Sequence, residues 1–123
     1  MMHLPSIVSN VIDTERLFTG HAAPVGWIVL SVLVLLYLAD WLQTITIARH
    51  PERSHETNPL MPRHPSVLRV CLHFIVCGLL GLLAVLAAPL MFKPLLMVVF
   101  AAMEAYWVRN NHKLGIGLFG PRG

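Results

Sequence analysis

Asp40, Arg69, His73 and Glu104 are the residues of this chain best placed to do chemistry, because each lies in a long apolar stretch. Asp40 is the only formal charge between residues 26 and 48. At bilayer depth a charge costs a few kcal/mol or more, so it turns to a partner or a water-filled space rather than to lipid. Tyr37, Asp40 and Thr44 fall at i, i+3 and i+7 with Gln43 adjacent, which places a polar stripe on one helical face. Arg69 and His73, at i and i+4, share a face of another helix.

Three chemistries suit these groups. In the first, the charges neutralise one another and clamp helices together: a polar network of Asp40, Gln43, Thr44, Arg69, His73 and Glu104 in which the arginine and histidine balance the two carboxyl groups. The second is a proton or cation path, since carboxyl groups with a histidine are the usual membrane relay. The third is a metal centre of Asp40, His73 and Glu104, extended by His50, His55, Glu56 or His64. Its oxygen and nitrogen donors suit zinc, iron or manganese. The sequence has no H-E-x-x-H and no paired-cysteine ligand motif, so the metal is unknown and no cofactor is expected. It also has no hydrolase elbow, phosphate loop or nucleotide fingerprint, and no catalytic residue is assigned.

The elements that must hold these residues are membrane spans. Of the 123 residues, 56% are hydrophobic and 12% charged, about half the charge of an ordinary soluble domain. The fold class expected is all-α: an integral membrane protein of one domain with three transmembrane helices, over residues 26–48, 66–86 and 90–108. A helix rising about 1.5 Å per residue crosses a ~30 Å hydrocarbon core within such lengths. Residues 87–94 leave room only for a tight turn, so the last two spans read as a helical hairpin. Pro89 suits a helix start and Pro94 a first-turn kink.

Residues 1–25 form an N-terminal tail with a short amphipathic helix built on Ile7, Val8, Val11 and Ile12, suited to the membrane interface. They do not read as a secretory signal, having no basic segment before the apolar residues. Residues 49–65 contain four prolines and cannot form a long regular helix. Residues 109–123 are a glycine-rich C-terminal tail. Cys71 and Cys77 sit on different faces of one helix and read as free thiols.

Orientation follows from the basic residues. Arg49, Arg53, Arg63, Arg69, Arg109, Lys113 and Arg122 fall on one side, against Arg16 and Lys93 on the other. This predicts the N-terminus outside and the C-terminus in the cytoplasm. Asp40, Arg69, His73 and Glu104 then share the cytoplasmic half, and Lys93 snorkels at the opposite rim. Cys77, Gly81, Ala84 and Ala88 form a ridge of small residues that would let another helix approach. The same count explains the net charge of +3 without nucleic acid, which is not an expected partner.

Asp40-Trp41-Leu42-Gln43-Thr44 reads D-x-x-x-T, and Glu56-Thr57-Asn58-Pro59-Leu60 reads E-x-N-P-L. This pair resembles the signature of a family of small bacterial and phage polytopic membrane proteins of unknown function. The resemblance covers residues 40–60 and implies architecture and a bacterial inner (plasma) membrane location, with no activity to carry across. In physical terms Glu56 and Asn58 are suited to cap backbone groups ahead of span two, and Asn58-Pro59 favours an extended or turn conformation.

The role expected is non-enzymatic: an accessory or assembly subunit in the lipid bilayer, packed against itself or other membrane subunits. A holin-like pore former is the alternative, since size, topology and basic tail fit it. A transporter or enzyme with an intramembrane proton or metal site is the third.

Overall fold

The fold is known from a computed structural model, which describes residues 4–52, 56 and 59–122. Asn58 of the E-x-N-P-L element, and Arg53, His55 and Thr57 beside it, lie outside the described residues. The described chain is all-helical: α1 (Leu4–Asp13), a 3₁₀ turn (Thr14–Leu17), α2 (Ala23–Arg49), α3 (Val67–Ala87), a 3₁₀ turn (Leu90–Phe92) and α4 (Lys93–Lys113). Three segments, Ala23–Arg49, Val67–Ala87 and Leu90–Lys113, are long and apolar enough to cross a membrane.

Local chemistry sets the helix ends. Proline occupies the first turn of α2 and of α4, where a missing N–H costs nothing. Ser66 caps α3, its side chain accepting from Arg69 N at 3.1 Å. α4 runs on into the expected tail as far as Lys113 and stops in a Schellman motif. There Gly115 takes φ +81°, its N–H reaches His112 O, and Ile116 N reaches Asn111 O. The tail then turns back, and Ile116 pairs with Pro121 in an isolated β-bridge.

The other end of α3 accounts fully for its last four carbonyls. Ala84 O accepts from Ala88 N at 3.1 Å. Val85 O and Leu86 O both accept from Lys93 Nζ at 2.7 Å, and Ala87 O accepts from Asn10 Nδ2 at 2.9 Å. Helix C-termini leave such acceptors unpaired, and a cation is also favoured there by the helix dipole. Lys93 is therefore wholly buried (0% exposed) and does not snorkel. An intact helix end outweighs solvation of the ammonium because two acceptors lie within reach of it.

α2 packs most extensively on α4 and less on α3, whereas α3 and α4, joined by a tight turn, touch only briefly. Close approach to α2 is set by glycine at two points. A Cβ at Gly26 would lie 1.9 Å from Leu17 O, so the first 3₁₀ turn sits directly on the start of α2. A Cβ at Gly78 would lie 3.2 Å from the Tyr37 hydroxyl oxygen, and that hydroxyl donates to Phe74 O. Met61, Val70 and Phe74 form the apolar core at this end, with Tyr37, Trp41, Ile45 and Ala48 packed on it. Trp41 stacks on Phe74 with centroids 5.6 Å apart.

Candidate functional site

The polar stripe of α2 is buried where it meets the end of α4. Asp40, Gln43, Thr44 and Asn111 are all at most 8% exposed. Asn111 Nδ2 is the junction, donating to Asp40 Oδ1 and to Gln43 Oε1, each at 3.3 Å. Gln43 Nε2 donates onward to Val108 O at 3.3 Å and Ile116 O at 3.4 Å. Thr44 Oγ1 donates back to Asp40 O at 2.8 Å. One side-chain lattice thus joins α2, α4 and the C-terminal turn.

Asp40 also meets Glu104. The two carboxyl groups lie close enough to interact, and Glu56 is a further acidic neighbour of Asp40. Glu56 is buried, with its N–H on Arg63 O at 2.8 Å, while Pro59 is exposed. Among the described residues, Trp41 Nε1, Glu104 Oε2 and Asn111 Oδ1 are buried polar atoms with no hydrogen-bond partner.

The structure brings together Asp40, Gln43, Thr44 and Glu104, and places Arg69 and His73 elsewhere. The Arg69 side chain is exposed. The His73 ring approaches Cys77 Sγ at 3.8 Å and lies edge-on to Phe74. Among the described residues the ion pairs are Arg16–Asp13 and His50–Glu52, so neither carboxyl group of the network is balanced by an ion pair. Arg69 lies in the first turn of α3, where its long side chain reaches solvent. Among the described residues no group of three His, Cys, Asp or Glu side chains is arranged to hold a metal ion. Cys71 and Cys77 are free thiols.

Asn111 was missed by the sequence reading, although Glu104 and Asn111 are seven apart and share a helical face. The signal was there, obscured by placing the span's end at residue 108.

An apolar cleft of about 670 Å³ lies where α3 and α4 diverge, floored by α2. Leu30, Leu33 and Val34 of α2, Leu80, Gly81 and Ala84 of α3, and Met97 and Phe100 of α4 contribute its walls. Tyr37, Cys77 and Glu104 line one end, and Thr14, Leu17 and Phe18 the other. The ridge Cys77, Gly81 and Ala84 faces this space rather than a closely packed helix; a Cβ at Gly81 would meet only Phe100, at 3.9 Å.

No family model matches the chain, and neither a curated protein nor a solved structure matches it.

Proposed function

We propose that this protein is a non-enzymatic accessory or assembly subunit of a membrane complex or homo-oligomer, held in shape by its buried polar network. One observation supports this above the others. Asn111 ties Asp40 and Gln43 together, so buried polar side chains of α2 and α4 bond to one another. Such a lattice fixes register and angle between helices, the best-attested use of buried polar groups. Outside it, large apolar side chains such as Leu35, Leu68, Leu83 and Leu95 stand exposed, a surface for lipid and for other subunits.

The three long helices cross the bilayer with the N-terminus outside and the C-terminus in the cytoplasm. Arg49, Arg63, Arg69, Arg109, Lys113 and Arg122 are exposed at one end. At the other, Lys93 is buried and Arg16 lies 3.9 Å from Asp13. The excess of exposed basic residues at the first end is what a cytoplasmic face carries. α1 lies in the opposite interface, with Leu4, Val8, Val11 and Ile12 exposed to the acyl region. The resemblance at residues 40–60 supports a bacterial or phage-encoded protein of the inner membrane. A pore has less support, because the space between the helices is walled almost entirely by apolar side chains.

Extraction in mild detergent followed by native mass spectrometry tests the assembly. The reading expects a multiple of the 13.7 kDa chain, or a stoichiometric complex with another membrane subunit. A monodisperse monomer, stable at the concentration found in the membrane, would overturn it.

A further inference from the structure

We propose that the C-terminal turn, residues 114–122, is an anchor that inserts Phe119 into an anionic phospholipid surface beside the end of α4. The inference rests on the membrane reading above and is independent of assembly. Phe119 is 89% exposed, more than any other large apolar side chain among the described residues, and Leu118 beside it is exposed too. The turn that carries them is bonded at its root and along its limbs. Ile116 is buried, with its N–H on Asn111 O and its carbonyl accepting from Gln43 Nε2. Arg122 N donates to Gly115 O at 2.7 Å and Gly117 N to Gly120 O at 3.0 Å, while Arg122 Nη2 donates to His112 O. The turn therefore holds its apolar tip clear of the helices.

Charge and level select the occupant. No Asp or Glu lies between residues 105 and 123, while Arg109, Lys113 and Arg122 are exposed. Basic residues near a membrane are drawn to anionic headgroups, and a bulky apolar side chain among them gains further from burial at the acyl boundary. Because Asn111 O holds Ile116 N, the turn is rooted at the last turns of α4 and not beyond them. Tyr106 is also exposed, about 8 Å before Asn111 along the helix, and tyrosine is a side chain enriched at headgroup level. An apolar pocket on another subunit would accept Phe119 but gives no account of the cations around it.

Phe119→Trp in the full chain, reconstituted in nanodiscs of brominated phosphatidylcholine with and without phosphatidylglycerol, tests this. Subtracting the wild-type emission isolates the added tryptophan. In anionic discs it is expected to emit blue-shifted and to be quenched about twofold or more by the bromines. In neutral discs, or in anionic discs with Arg109→Gln and Lys113→Gln added, at least about half of that quenching is lost, each cation being worth about fivefold in binding. Emission at the solvent wavelength in anionic discs overturns the proposal, as does equal quenching in neutral discs. Blue-shifted emission that bromine does not quench also overturns it, and places Phe119 against protein. Leu118→Trp repeats the measurement at the neighbouring position if Phe119→Trp does not fold. The wild-type tryptophans report the membrane reading separately: quenched native residues beside an unquenched added one sink the anchor alone, and unquenched native residues sink both.

Discussion

Asn111 Nδ2 lies 3.3 Å from Asp40 Oδ1, a contact between residues 71 apart in sequence that locks the end of α4 to α2. The same nitrogen holds Gln43 Oε1, and Gln43 reaches on to the C-terminal turn through Ile116 O. Replacing Asn111 by Ala removes the donor and leaves both acceptors buried. It is expected to destabilise the fold by about 2–6 kcal/mol, at roughly 1–3 kcal/mol for each stranded group. Reversible denaturation in mixed micelles measures this. Limited proteolysis should also cut near Gly117 and Gly120 in the variant first, because the turn loses its anchor.

Lys93 is expected to be as important at the opposite end. Lys93→Met keeps much of the side-chain volume but strands Val85 O and Leu86 O, again about 2–6 kcal/mol by the cost per buried acceptor. Lys93→Arg retains donors and should recover part of the loss. Thermal unfolding of the two variants side by side measures the difference. A Met variant as stable as wild type would mean the ammonium does not hold the end of α3.

Gly26→Ala should displace the N-terminal segment. The added methyl group would lie 1.9 Å from Leu17 O, far inside contact distance, and that atom is backbone and cannot rotate away. The first 3₁₀ turn must lift from α2. Hydrogen exchange at residues 14–22 should therefore rise while exchange within α3 stays as in wild type. Unchanged exchange at residues 14–22 would contradict the packing described here.

Ser66→Ala removes the acceptor for Arg69 N and should cost about 1 kcal/mol, the usual value for a lost helix N-cap. Ser66→Asp should restore it, and denaturant unfolding separates the two.

The sequence made the three long helices legible because apolar length is a strong signal that depends on little else. That Asp40 and Glu104 lie near one another was legible too, since helix rise alone brings them to one level of the bundle. Their partners were not. Arg69 and Asn111 both sit near helix ends on the same side, and depth cannot tell a side chain that reaches solvent from one that turns inward. Asn111 turns inward because α4 packs closely on α2, and that angle follows from side-chain packing rather than periodicity. Lys93 illustrates the same limit. Its acceptors are carbonyls of a helix end that becomes its neighbour only when the chain reverses between Ala88 and Phe92.

Asp40→Asn beside Asp40→Leu, read as unfolding free energy and as native mass in mild detergent, tests the central claim that the network is a structural clamp. Asn keeps an acceptor for Asn111 and offers a donor to Glu104, so it should lose clearly less stability than Leu and assemble normally. Leu has no polar atom and should lose about 1–3 kcal/mol. An Asn variant that folds as well as wild type but no longer assembles, or that is damaged as badly as Leu, would show that the carboxyl group itself is required and would contradict the clamp.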